Sequence, residues 1–388
     1  MEMRSVPQIV GIGETNVGKH PDHTTNSLAT KVAADALFDA GREWKDVDGL
    51  IVTEPIVDKH SRHALTMAET LGISANLKLA QTVSMGGASP ALAVKQAFDA
   101  VSNNTARNVL VVASDTPRTG QDRKKTVGYF SEQRHPWWEQ PFGMLNVTAY
   151  ALLADEYMSR YHLDSGSLLS IPVALREHAS TNKNAAYTER MEIEVAHQSR
   201  YVSQPLRLVE CSPINDGAAA LLISSDGNTY KKPGIAVTGF GFASDYDSYT
   251  YRTHQEPTAA ARGAKTAVKQ SKKPVAGGDL LMVYDSYSIA MALQLEALGV
   301  SSPGRAVDDF VSGRFQLGGE LVVNPHGGLL SHGHCGGAAG MHHITELIKQ
   351  LRGEADEQLS INSGYAYYQS EGGILSANAT LCFELLDN

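Results

Sequence analysis

Short apolar runs alternate with amphipathic stretches over the first part of the chain. Residues 6–13 (VPQIVGIG) predict a strand that ends at glycine. Thr24, Thr25 and Asn26 then offer N-caps to a helix. In that helix Leu28, Val32, Ala36 and Leu37 recur at helical spacing, and Gly41 stops it. Residues 47–52 predict a second buried strand, 62–71 a helix stopped by Gly72, and 79–83 a strand running into Met85-Gly86-Gly87. A helix over 89–101 and the unbroken apolar run 109–113 (VLVVA) follow. Such strands, apolar on both faces and spaced by helices, predict a parallel sheet covered on both sides.

From 117 to 205 the texture changes. Two helical stretches, 147–161 and 166–179, appear there without a strand-like run of comparable strength, which predicts a helical insertion. The α/β pattern resumes at Asp216-Gly217-Ala218 and the strand 219–224. The second half repeats the first: 235–239 mirrors 9–13, 259–268 the first helix, 280–284 the second strand, and 289–298 the next helix. Residues 321–324 run into a glycine-rich turn and the helix 341–351, and 379–385 closes the chain as 219–224 closes the first half. The pattern predicts a first lobe over 1–228, carrying the insertion at about 117–205, and a second lobe over 229–388.

Composition narrows the functional classes. The chain has 388 residues, 42% hydrophobic and 19% charged, with a formal net charge of −9. That balance suits a globular protein and argues against a general nucleic-acid binder. Cys211, Cys335 and Cys382 are widely separated and show no CxxC spacing, so neither a disulfide framework nor a zinc ribbon is expected. No apolar run is long enough to span a membrane, and no signal peptide is evident, so a cytoplasmic location is expected.

The densest chemistry lies in one stretch, Asn324-Pro325-His326-Gly327-Gly328-Leu329-Leu330-Ser331-His332-Gly333-His334-Cys335-Gly336-Gly337-Ala338-Ala339-Gly340. Glycines admit close backbone approach to a ligand, and the helix that follows presents an N-terminus to an anion or oxyanion. A packing turn between the two halves is the plainer alternative. This run resembles the thiolase signature around its catalytic histidine, in the sterol-carrier and lipid-transfer branch. Residues 209–219 (VECSPINDGAA), Val283-Tyr284-Asp285-Ser286-Tyr287-Ser288 and Glu371-Gly372-Gly373 resemble further motifs of that family. The resemblance implies an α/β, thiolase-like fold of two pseudo-twofold-related αβαβα lobes with an inserted helical loop domain. It also implies a homodimer and a coenzyme A thioester as substrate, with no metal.

The departures bear on mechanism. Thiolases carry an acyl-accepting Cys after the third strand, and here Gly87 falls at that position. Their second Cys position falls on Gln369. With no nucleophile at 87, the usual acyl-enzyme route is closed. His334 holds the histidine position and Tyr284 stands where the family has Asn or His, so donors to an enolate oxygen persist. That combination resembles thiolase-like aldolases that shorten steroid side chains with a small OB-fold, zinc-ribbon partner. It makes His334 and Tyr284 catalytic candidates, with Cys335 as a relocated nucleophile or a buried thiol. Gly87, Ser89, Tyr246, Gly327, Gly328 and Gly373 are the positions expected to contact coenzyme A.

Three weaker features stay open. Tyr246, Tyr249 and Tyr251 border either the thioester site or solvent. Arg123, Lys124 and Lys125 meet coenzyme A phosphates or form a solvated run, and Trp137-Trp138 lines an apolar entry or packs the insertion. His326, His332, His334, Cys335, His342 and His343 match no standard zinc spacing. Three functions remain: a lyase cleaving a β-hydroxyacyl-CoA by retro-aldol, a thiolase-type acyltransferase working in a complex, and a non-catalytic carrier of acyl-CoA or lipid.

Overall fold

A computed structural model describes residues 6–120, 122–225, 232–252, 258–356, 360–361 and 363–386; the side chain of Arg123 is also outside the description. The lobe boundary expected at 228–229 therefore lies outside the described residues.

The first lobe holds β1 (Gln8–Glu14), β2 (Gly49–Thr53), β3 (Leu79–Val83) and β4 (Asn108–Asp115), with α1 (Thr25–Ala40), α2 (His63–Thr70) and α3 (Ser89–Ser102) between them. The insertion carries α4 (Arg123–Glu132), α5 (Asn146–Tyr161), α6 (Ser170–Ala179), α7 (Ile193–Gln198) and a hairpin of β5 (Tyr201–Ser203) and β6 (Leu206–Arg207). The hairpin straddles the insertion end expected at 205, and β7 (Gly217–Ser224) returns the chain to the first lobe. The second lobe holds β8 (Ile235–Ser244), α8 (Ala259–Ser271), β9 (Leu280–Val283), α9 (Ser288–Ala297) and α10 (Ala306–Val311). It continues through β10 (Val322–Val323), α11 (Gly328–Ser331), α12 (Ala339–Arg352), β11 (Tyr365–Gly372) and β12 (Ala377–Leu385).

Ten strands run in the order β10-β9-β11-β12-β8-β1-β7-β4-β2-β3. The order reads as one five-strand plan used twice about the β8–β1 junction, where, among the described residues, a single pair, Ile9 with Ile235, joins the halves. The two-residue alternation of side chains builds the layers. Along β4, Val109, Val111 and Ala113 face a core shared with α3 and α12, while Leu110 and Val112 face α1 and α2. Along β7, Ala219, Leu221 and Ile223 face the first core and Ala218, Ala220 and Leu222 the second. In the other lobe Leu280 and Met282 face the shared core, while Leu281 and Val283 face α9 and the insertion. Thus α3 and α12 form the central layer.

Both first strands press against their helices without room for a side chain. A Cβ on Gly11 or Gly13 would run into α1 backbone, and one on Gly239 or Gly241 into α8 backbone. This packing equates Gly11 with Gly239 and Gly13 with Gly241, two residues from the match read in the sequence. The shift is physical: the glycines mark the close approach, whereas apolar content alone leaves the register free.

Candidate active site

Tyr284 follows β9 directly. Its backbone N–H donates to Gln369 O (2.9 Å), and its carbonyl accepts from Gln294 Nε2 (2.8 Å). His334 lies in the long loop before α12. Its N–H donates to Pro213 O and its carbonyl accepts from Asn215 N–H, both at 2.9 Å, so the end of the insertion holds this loop in place. The two side chains meet through a hydrogen bond of 2.8 Å between Tyr284 Oη and His334 Nε2. Burial pulls His334 down to about 4, which leaves its imidazole neutral. Burial first, then the neighbouring Glu371 charge, holds the Tyr284 phenol protonated well above its usual range. In the tautomer with Nε2 protonated, the imidazole donates to Tyr284 and the phenol O–H is free to donate into the cleft.

Gly87 forms the opposite wall. A Cβ there would overlap Tyr284 Cζ and the Glu371 carbonyl and lie 2.7 Å from Tyr284 Cε1. The tyrosine ring thus occupies the space that a side chain at 87 would need. Gly86 turns with φ 56°, and Ser89, the first residue of α3, accepts the Met85 N–H at 2.7 Å. The cleft, about 160 Å³, is lined by Gly87, Ser89, Tyr284, His334, Glu371 and Gly373 among others. It continues past Tyr129, Gln133 and Gly373 into an outer chamber of about 510 Å³ walled by Lys59, Arg134 and Asp247.

Glu371 is the residue that the sequence reading passed over. It sits near the end of β11 with 2% exposure and accepts from Tyr150 Oη (2.9 Å) and Ser286 Oγ (2.8 Å) through Oε1. Among the described residues, its Oε2 accepts only a 3.4 Å bond, from Leu375 N–H. Burial pushes its carboxyl up to about 7. The signal was present: one acid closes the strand YAYYQSEG, whose last seven residues are all buried. Gln369, on the same strand, is tied instead to Thr380, Asn378 and Ser370 and does not line the cleft.

Other expected positions lie elsewhere. Cys335 is fully buried in the shared core beside Gly217 and His342, turned from the cleft, and burial pushes its thiol far up. A nucleophile needs the opposite environment. Gly327 and Gly328 do not line the cleft either, since their turn wraps Asp285. Asp285 accepts from Leu329 N–H (2.7 Å), Leu330 N–H (3.1 Å) and Asn324 Nδ2 (3.0 Å), and a Cβ on Gly328 would fall on its carboxylate. Tyr246 is 54% exposed and lines a separate cavity with Tyr157 and Tyr161. Lys124 and Lys125 are exposed on the first turn of α4, outside the cleft, and Trp137 and Trp138 are exposed around His135. His326, His332, His342 and His343 form a buried chain of ring contacts, yet among the described residues no three ligating groups gather as a metal needs.

Comparison with known proteins places this geometry. Residues 230–384 match the thiolase C-terminal domain-like family. The solved structure of an Ltp2-ChsH2(DUF35) aldolase superposes with a TM-score of 0.85 at 26% identity, covering 98% of each chain. The second lobe matches that family, and the whole chain is similar in fold to the solved aldolase. An acetyl-CoA acetyltransferase of Methanothermobacter thermautotrophicus is 28% identical over 92% of this chain and 93% of its own. A 17-hydroxy-3-oxo-4-pregnene-20-carboxyl-CoA lyase of Mycobacterium tuberculosis is 29% identical over 89% and 91%. Among the described residues, no helix is long and apolar enough to cross a membrane.

Proposed function

We propose that this protein is a carbon–carbon lyase that cleaves a β-hydroxyacyl-CoA by retro-aldol, without an acyl-enzyme. One observation carries the reading: the Tyr284 ring fills the space beside Gly87 and hydrogen-bonds His334. An acyl-transfer site needs a nucleophile there, and this site offers a protonated phenol in its place. As the Cα–Cβ bond breaks, its electron pair moves into the thioester enolate, whose oxygen takes a hydrogen bond from Tyr284 oriented by His334. The β-hydroxyl gives up its proton as the β-carbon becomes a carbonyl, and the enolate takes a proton at Cα. The products are a ketone or aldehyde and a shortened acyl-CoA, with no oxidant, reductant or water consumed.

The name of the mycobacterial relative supports a steroid-bearing thioester as the acyl group, and the two-component name of the solved aldolase supports a second protein as partner. The half-buried residues Leu79 to Thr82 of the edge strand β3 are consistent with contact to a second copy of this chain. The acetyltransferase name of another relative favours acyl transfer. Intact-mass measurement after incubation with acetyl-CoA separates the two: an unmodified chain is expected, and a stoichiometric adduct would overturn the lyase reading. Turnover of 17-hydroxy-3-oxo-4-pregnene-20-carboxyl-CoA and of 3-hydroxybutyryl-CoA, each with and without an OB-fold zinc-ribbon partner, tests the lyase directly. Binding of both thioesters with no cleavage in any of the four mixtures would leave only a carrier.

A further inference from the structure

We infer that Glu371 is the base that takes the proton from the substrate β-hydroxyl. The assignment rests on the retro-aldol reading and deepens it.

Its geometry comes first. Glu371 lines the cleft that holds Tyr284, His334 and Gly87. Tyr150 and Ser286 fix one carboxylate oxygen, so the side chain has a set orientation. Among the described residues the other oxygen has only the long Leu375 contact, and it retains capacity to accept a proton. Tyr150 comes from the insertion, Ser286 from the segment after β9, and Glu371 from β11, so three parts of the chain converge on one acid.

Chemistry then discriminates among the groups around the cleft. His334 is too weakly basic, pulled down to about 4 by burial. Tyr284 and Tyr150 are phenols that burial and the Glu371 charge keep protonated. Glu54, also on the wall, is 31% exposed and ion-paired with Lys59, so it lacks the buried, apolar setting of Glu371. Glu371, pushed up to about 7 by burial, has the basicity a general base needs near neutrality. The groups facing it are Tyr150 on α5, Tyr284, Ser286 and Tyr287 after β9, Tyr368 on its own strand, and the buried Arg134 of the insertion, the cation that tempers the rise.

In the step, a Glu371 oxygen accepts the hydroxyl proton and the O–H pair stays on oxygen. That oxygen's electrons form the new C=O, and the Cα–Cβ pair passes to the enolate that Tyr284 faces. Protonation of Cα and return of the Glu371 proton to solvent complete the turnover. The acid and the phenol thus act on the two ends of the breaking bond.

The test is the pH profile of kcat/KM for whichever of the two thioesters named above the wild-type enzyme cleaves, with the partner protein if cleavage needs it. Wild type is expected to lose rate as pH falls through about 7, because protonated Glu371 cannot accept. Glu371→Gln should lower kcat about 10²–10⁴-fold and abolish that acid limb, while Glu371→Asp keeps the limb at reduced rate. Ser286→Ala removes a hydrogen bond to the charged carboxylate and should move the limb to higher pH, which a merely structural role for Glu371 would not do. An active Glu371→Gln enzyme with an unaltered limb would overturn the assignment and leave the lyase standing. Should wild type cleave neither thioester with or without the partner, the lyase reading itself falls, and this assignment with it.

Discussion

In the first lobe the chain leaves β3, turns through Met85, Gly86 and Gly87, and enters α3. In the second it leaves β10 and winds through the long loop from Asn324 to Ala338 before α12. The two turns hold equivalent places in the repeated strand plan, and both reach the same cleft. The short one brings backbone and empty volume. The long one brings His334, and the strands beside it bring Tyr284 and Glu371. The groups proposed to carry the chemistry lie in the second lobe, and the first supplies the wall against which Tyr284 rests. A repeated fold can therefore keep its symmetry of backbone while concentrating its chemistry on one side.

The largest expected effect comes from the reactive side. Tyr284→Phe should cost about 10²–10³-fold in kcat, the usual cost of removing one oxyanion donor, and should not create an acyl-enzyme. Single-turnover rates and intact mass check both halves. Next comes the wall. Gly87→Cys should destabilise the fold by about 1–3 kcal/mol through overpacking against Tyr284 and the Glu371 carbonyl, and acetyl-CoA should leave no adduct on it. Adding Tyr284→Ala should recover part of that loss. Strictly additive melting temperatures would show that the two positions do not compete for space.

A smaller effect separates function from stability. The Glu371 carboxyl is raised in the folded state, from 4.5 to about 7 by burial, so folding favours its protonated form. Its contribution is fully present below 4.5 and fades as pH rises through about 7. Glu371→Gln should therefore raise the melting temperature relative to wild type at pH 8 more than at pH 5, even as activity disappears. A variant less stable than wild type at pH 8 would contradict this. The smallest effect is at Cys335. Cys335→Ala should cost about 1 kcal/mol at most and leave the rate unchanged, and the native thiol should resist alkylation until the protein unfolds.

Much of the fold was legible because its strongest elements are locally consistent. The runs at 109–113 and 219–224 are apolar at nearly every position and proved central, with all residues of β4 and β7 buried. Helices α1, α3 and α12 lie within a few residues of where caps and periodicity put them. Helix α4 escaped because RKKTVGYFSE has little apolar periodicity and is held by its Asp122 cap. Strand β11 escaped because polar Gln369, Ser370 and Glu371 lie in its buried half, where partners across the sheet and cleft satisfy them. In the site, Gly87 and Tyr284 each showed as a departure from the family pattern. That the two fill one volume depends on strands distant in sequence, which no local pattern encodes. The glycines at 327 and 328 misled for a related reason: Gly328 packs against the Asp285 carboxylate and Gly327 against Ala179 of α6, and a turn packed against the protein itself reads in sequence like one built for a ligand.

The fit of the Tyr284 ring into the space beside Gly87 also couples the two positions. Restoring a side chain at 87 alone creates a collision, and shrinking Tyr284 alone leaves a void and no phenol. Each single change therefore disturbs packing that the paired change would partly restore. The residue that can stand at 87 is therefore tied through packing to the residue at 284, although the two lie far apart in sequence.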